Sequence, residues 1–164
     1  MEEKVWRCVR SAVAIATLVL APAARAADVT YDLVHCGSLK PIVLEARQGV
    51  YAQVMDYYDI VASSTNKDWA YATAHCGGYF RVADGKESSG GVCKWVLPSG
   101  DTAVMEWKGT GPGEGSVVFV SGTGKLKGVQ GGGPWKIVSN AKPADEGTFQ
   151  RCVHAWGKYS VPES

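Results

Sequence analysis

Cys76-Gly77-Gly78-Tyr79-Phe80-Arg81-Val82-Ala83-Asp84-Gly85-Lys86-Glu87-Ser88-Ser89-Gly90-Gly91-Val92-Cys93 reads as a β-hairpin. Asp84-Gly85 lies between two runs of strand character, and Asp-Gly favours a two-residue type I′ turn, in which both central residues need positive φ. Pairing Ala83 with Lys86 across that turn fixes every later pair. It carries down to Cys76 opposite Cys93 on a non-hydrogen-bonded pair, where side chains approach most closely, so a disulfide is expected there. The same register sets Ala74 against Trp95, Ala72 against Leu97, and Tyr79 over Gly90, an aromatic covering a strand glycine. Cys76, Cys93 and Trp95 then share an apolar inner face, and His75 and Lys94 point to solvent. The glycines at 77, 78, 90 and 91 also leave room for a bulge, which would shift the register.

Outward from the hairpin, stretches rich in β-branched and aromatic residues recur at 29–35, 50–62, 69–76, 79–83, 92–97, 102–108, 116–121, 135–138 and 148–156. Turn signals such as Ser63-Ser64-Thr65-Asn66, Pro98-Ser99-Gly100, Gly111-Pro112-Gly113 and Gly131-Gly132-Gly133 separate them. No long helical period appears; 141–146 has the composition of a single helical turn, cut short by Pro143. The expectation is an all-β fold: a closed or nearly closed antiparallel β-barrel of about eight strands. A two-sheet sandwich is the alternative.

Residues 1–26 read as an export signal. Lys4, Arg7 and Arg10 precede an apolar run at 12–21, which leads to the small-residue cleavage pattern Ala24-Arg25-Ala26. The run is about half the ~20 residues needed to span a bilayer, so no transmembrane segment is expected in the mature form. Glu2 and Glu3 are unusual in such a leader. Cys8 lies before the run, which does not suit a lipid anchor. Cleavage near Ala26 would place the protein in the periplasm or outside the cell. It would leave 27–164 as one barrel domain of 138 of the 164 residues. Four basic and two acidic residues leave with the leader, taking the net charge from +1 to −1. That balance argues against a nucleic-acid partner, since such proteins carry a basic excess or cluster.

Of the five cysteines, Cys36, Cys76, Cys93 and Cys152 remain, an even count that implies two disulfides in an exported chain. Three connectivities exist. The hairpin register selects Cys76–Cys93, leaving Cys36 for Cys152, a pair that would lock the first strand to the last in a closed barrel. A zinc site is disfavoured because no two cysteines have the short spacing such sites use.

The stretch Ser121-Gly122-Thr123-Gly124-Lys125-Leu126-Lys127-Gly128-Val129-Gln130-Gly131-Gly132-Gly133 resembles the glycine-rich hairpin of bacterial allene-oxide-cyclase-like and dirigent-like barrels. Gly91 to Asp101 (G-V-C-K-W-V-L-P-S-G-D) extends the similarity to small exported β-barrel proteins of that group. The resemblance implies a barrel holding an apolar or phenolic ligand; no residue matches a catalytic position of the family. The same glycines do not fit a phosphate loop, which would need glycine at Phe119 and Ser or Thr at Leu126, and they miss the dinucleotide fingerprint by one residue. No cofactor is expected.

The three histidines, His35, His75 and His154, each lie within two residues of a cysteine. Strand alternation scatters them: His35 points away from the Cys36 face, while His154 stays on the face of Cys152. Three convergent metal ligands are therefore not expected, and exposed or locally bonded histidines are. There is no G-x-S-x-G elbow for nucleophilic catalysis. In 50–62 the even positions form an apolar face interrupted by Asp56. Facing inward, Asp56 would be an acid with a raised pKa; a bulge turning it outward, or a hydrogen bond to backbone at the barrel mouth, is the alternative. Asp56, Tyr58, Trp95, Trp107 and Trp135 are the candidate lining of a ligand site, with Trp69 beside them, and ordinary core packing is the competing role for the aromatics.

Three functions fit these readings. The first is non-catalytic binding of a small apolar or aromatic molecule in the lumen. The second is a barrel isomerase or cyclase, which needs an inward acid or base. The third is an envelope protein acting through its surface, which needs a filled barrel and an exposed apolar patch.

Overall fold

The structure is a computed structural model describing residues 27–163; residues 1–26, where the export signal is expected, lie outside the described residues. Nine antiparallel strands follow one another: β1 (Ala27–Leu39), β2 (Ile42–Arg47), β3 (Val50–Ser64), β4 (Thr73–Ala83), β5 (Lys86–Val96), β6 (Thr102–Gly111), β7 (Glu114–Gly122), β8 (Gln130–Ala141) and β9 (Phe149–Val161). β3 to β9 pair in sequence, and β1 pairs with both β9 and β3, so eight strands close into a barrel. The sandwich is thereby excluded. β2 is the extra strand. It continues the β1 edge along β3 in one register, with Leu39 on Tyr57 and Ile42 on Val54, interrupted only at Lys40-Pro41, where proline has no N–H to give.

The hairpin register is the one the turn dictates. Ala83 faces Lys86, Cys76 faces Cys93 and Tyr79 faces Gly90, with no bulge between β4 and β5. Asp84 and Gly85 adopt φ of 52° and 74°, as a type I′ turn requires. The Cys76 and Cys93 Cα atoms are 4.1 Å apart and joined by a disulfide. The second disulfide joins Cys36 to Cys152, which stand opposite each other in the β1–β9 ladder. The two bridges occupy opposite sides of the wall: Cys76–Cys93 is buried in the lumen, and Cys36–Cys152 lies on the outer face.

Several local expectations are corrected. The expected strand at 69–76 begins only at Thr73, because Asn66 caps a 3-10 turn over Lys67–Trp69 that swings Trp69 inward, and Tyr71 takes a φ of 64°. The Ala72–Leu97 pair accordingly lies beyond the ladder, which ends at Thr73–Val96. No helical turn forms at 141–146; those residues make bends and a turn before β9. In the glycine-rich stretch a 3-10 turn over Gly124–Leu126 buries Leu126, and Gly131 enters β8 at a φ of 118°, which an L side chain rarely adopts.

The largest correction concerns β3. Its buried positions are Met55, Tyr57, Asp59 and Val61, and the apolar even set points outward. Pairing decides this parity: Tyr57 faces Cys76 and Asp59 faces Ala74, so the inner face set by the Asp84-Gly85 turn passes from β5 through β4 to β3.

Candidate functional site in the barrel lumen

The two ends of the barrel differ. At one end the connections 65–72, 97–101 and 123–129 fold over the opening and bury Trp69, Leu97, Leu126 and Val129. Trp69 stands edge-on to Trp95, Phe119 and Tyr159, with ring centroids 6.0, 6.0 and 6.4 Å away. The other end carries the tight turns at 48–49, 84–85 and 112–113 and the loop 142–148. There Trp107 and Trp135 are half-buried and meet edge to face at 6.2 Å. Between the ends lies a cavity of about 70 Å³ lined by Tyr31, Tyr57, Trp95, Trp107, Trp135 and Arg151 among others. That exceeds the roughly 10–15 Å³ a cavity needs to hold a water.

Trp107 reaches this position because β4 and β5 carry glycine opposite it. A Cβ at Gly78 would collide with the Trp107 ring, and one at Gly91 would come within 2.7 Å of its indole nitrogen. The Gly78–Gly91 pair that leaves room for a bulge on sequence grounds instead seats an indole on the inner wall.

The polar heart of the lumen is a histidine–aspartate pair. His35 Nδ1 lies 2.7 Å from Asp59 Oδ2, with the two side chains 13% and 2% exposed. Where Asp59 is ionised it can only accept, so Nδ1 is then the donor and Nε2 the nitrogen left to exchange a proton. Gly37 on β1 makes the arrangement possible, since a side chain there would occupy the place of the Asp59 carboxylate. His35 packs edge-on against Trp95 at 5.2 Å. Beside them the Arg151 guanidinium lies over the Tyr57 ring, 5.0 Å from its centroid. Burial pushes the Tyr57 hydroxyl up to about 12, opposed by the charge of Arg151 and by a hydrogen bond from its side chain, and reinforced by Asp59; burial alone pushes Tyr31 up to about 12. Both phenols therefore hold their protons at neutral pH.

Of the residues singled out from sequence, Trp95, Trp107 and Trp135 line the cavity, joined by Trp69 from the capped end. Asp56 and Tyr58 do not. They stand on the outer wall, where Asp56 bonds His75 at 2.5 Å and Tyr58 stacks on the His75 ring at 4.4 Å, because β3 has the opposite parity to the one its apolar count suggests. The inward carboxylate is Asp59. Each histidine is bonded to an aspartate of a neighbouring strand, the third pair being His154 with Asp32 at 3.0 Å on the outside. Among the described residues no group of three or more His, Cys, Asp or Glu is placed to hold a metal ion. Tyr31, His35, Tyr57, Asp59 and Arg151 were not reached from sequence. Parity carried across β5, β4 and β3 would have found Tyr57 and Asp59, and parity on β1 and β9 would have aligned His35 with Arg151.

Solved structures of two dirigent proteins share this architecture. The chain is similar to the pterocarpan synthase dirigent protein GePTS1 with a TM-score of 0.53 over 92% of this chain and 97% of that one, at 11% identity. It is similar to PsPTS1, also a pterocarpan synthase dirigent protein, with a TM-score of 0.52 over 85% and 97% of the two chains, at 12% identity. The barrel is dirigent-like. At this identity the likeness carries the fold alone. No protein-family model matches the sequence, and no curated protein does.

The outer wall of this dirigent-like barrel carries exposed charges at mid-strand, among them Lys94, Glu106 and Lys136. It also carries an apolar row across β2, β3 and β4, formed by Ile42, Val54 and Tyr79, each at least half exposed. Among the described residues no helix is long and apolar enough to cross a membrane.

Proposed function

We propose that this protein is an exported lumen binder of a small aromatic molecule. The observation that carries the reading is the cavity itself: an aromatic-walled recess, capped at one end and entered past two half-buried tryptophans, with a few polar groups gathered inside. Its volume is about half of the ~150 Å³ that admits benzene, so a single ring is the largest occupant this reading allows, and it requires Trp107 and Trp135 to swing outward. The two disulfides are consistent with an exported protein. A leader cleaved near Ala26, periplasmic or secreted residence, and a single mature domain from residue 27 complete the proposal. Native mass spectrometry of protein recovered from its own host, with N-terminal sequencing, tests both halves. A co-purified small molecule on a chain starting at Ala27 is expected; an empty protein whose tryptophan fluorescence ignores every aromatic probe would overturn the binding reading.

A second reading, catalysis, is favoured by the buried His35–Asp59 pair, whose free Nε2 is suited to take up a proton from a bound molecule. That the similar solved barrels are named as synthases supports it. A turnover lost in Asp59→Asn while ligand binding persists would establish the enzyme; binding with no conversion of the recovered ligand would leave the binder. The surface reading draws on the Ile42, Val54 and Tyr79 row, and its signature in the same spectra is a co-purified protein.

A further inference from the structure

Among the described residues three buried side-chain polar atoms have no hydrogen-bond partner: the Tyr31 hydroxyl, Trp107 Nε1 and Arg151 Nε. All three residues line the one cavity. Two other indoles of the barrel are satisfied, with Trp135 Nε1 donating to the Ser116 carbonyl and Trp69 Nε1 to the Tyr159 hydroxyl. Indole and guanidinium nitrogens can only donate, and the Tyr31 phenol keeps its proton, so each unpartnered group offers a hydrogen and lacks an acceptor. Buried polar groups of folded proteins are almost always paired, and three orphans around one cavity mark where acceptors belong.

Charge points the same way. Arg151 faces the lumen with no carboxylate at ion-pair distance among the described residues. Asp59 shares the lumen, and its bond to His35 already employs it. A half-buried cation without a counter-ion is unfavourable unless something supplies one. Tyr31 lies deeper, against Phe119 and Tyr159 of the capped end, so acceptors are wanted at two depths along the axis.

Resting on the lumen-binding reading, we propose that the ligand is a single-ring aromatic carboxylate. The ring lies among Trp95, Trp107 and Tyr57, the carboxylate accepts from Arg151, and a ring oxygen at the far end accepts from Tyr31. In the empty barrel only water could satisfy these donors. An apolar ring that displaces that water strands the donors, whereas a carboxylate-bearing ring replaces the bonds it removes.

The test is calorimetry and tryptophan fluorescence with benzoate, 4-hydroxybenzoate, toluene and benzylamine on the full mature protein. Benzoate should bind at least tenfold more tightly than toluene or benzylamine, and 4-hydroxybenzoate more tightly again. Arg151→Met, which keeps the apolar stem, should bring benzoate down to the level of toluene and leave toluene unchanged; Tyr31→Phe should remove only the advantage of 4-hydroxybenzoate. Toluene binding as tightly as benzoate to the unsubstituted protein would overturn the carboxylate assignment and leave the lumen reading intact. So would unchanged benzoate affinity in Arg151→Met. If none of the four probes binds, the lumen reading itself fails and the assignment falls with it. The preference measured on the unsubstituted protein decides the matter even if a variant does not fold.

Discussion

At the capped end Trp69 is 1% exposed and its indole N–H bonds the Tyr159 hydroxyl; at the mouth Trp107 is half-buried and its indole N–H bonds nothing. The residue type is the same and the barrel is the same. What separates core from site is the accounting of polar atoms and the seat beneath the ring: Trp69 is wedged among aromatics, while Trp107 lies on a bed of glycine. An aromatic residue in a β-barrel sequence therefore says little about its role until its neighbours are known.

The contrast is open to direct attack. Trp69→Ala should destabilise the protein by about 3–5 kcal/mol, as removal of a large buried side chain does. Trp107→Ala should cost about 1–2 kcal/mol and change ligand affinity more than stability. Equal losses in denaturant melts would erase the distinction between the ends. Replacing Cys76 and Cys93 together by alanine should cost about 3 kcal/mol, the effect of opening a loop of that size, since the bridge spans 17 positions. An unaltered midpoint would show that the hairpin holds its register through its turn alone.

Alkaline titration probes the lumen from within. Tyr31 and Tyr57 have folded pKa values pushed up to about 12, above their ordinary value of 10.0. The unfolded chain therefore releases those protons first, so stability is full below pH 10 and falls between pH 10 and about 12. In ultraviolet titration these two phenols should ionise well above pH 10, toward about 12; their ionisation near pH 10 would mean that solvent reaches the lumen freely. The smallest effect belongs to Lys94→Ala, on the outer wall of β5 behind Trp95, which should stay within about ±0.5 kcal/mol. A large loss there would mean that β5 faces the other way.

The barrel and both bridges were legible because a two-residue turn is a local device that sets every pair along the hairpin, and because the four cysteines then had one consistent assignment. The site was less legible. Alternation in β3 favoured the face of Val54, Tyr58 and Ile60, yet those residues are exposed, since a barrel's outer wall tolerates apolar side chains. Asp59 made its own face look polar, and only His35, brought alongside from 24 residues earlier, makes its burial tolerable. The lumen combines single residues from distant strands, Arg151 from β9 and Trp107 from β6 among them, and no local motif records that meeting.

Ala27 pairs with Val161 at the capped end, so both ends of the described chain leave the barrel on the side opposite the mouth. That placement makes the protein easy to rewire. A carrier or surface tether joined at either end would leave the entrance clear. A short linker between residues 27 and 161, with the chain reopened at the exposed Asp84-Gly85 turn, would give a circular permutant whose new ends flank the mouth while Cys36–Cys152 still seals the old seam.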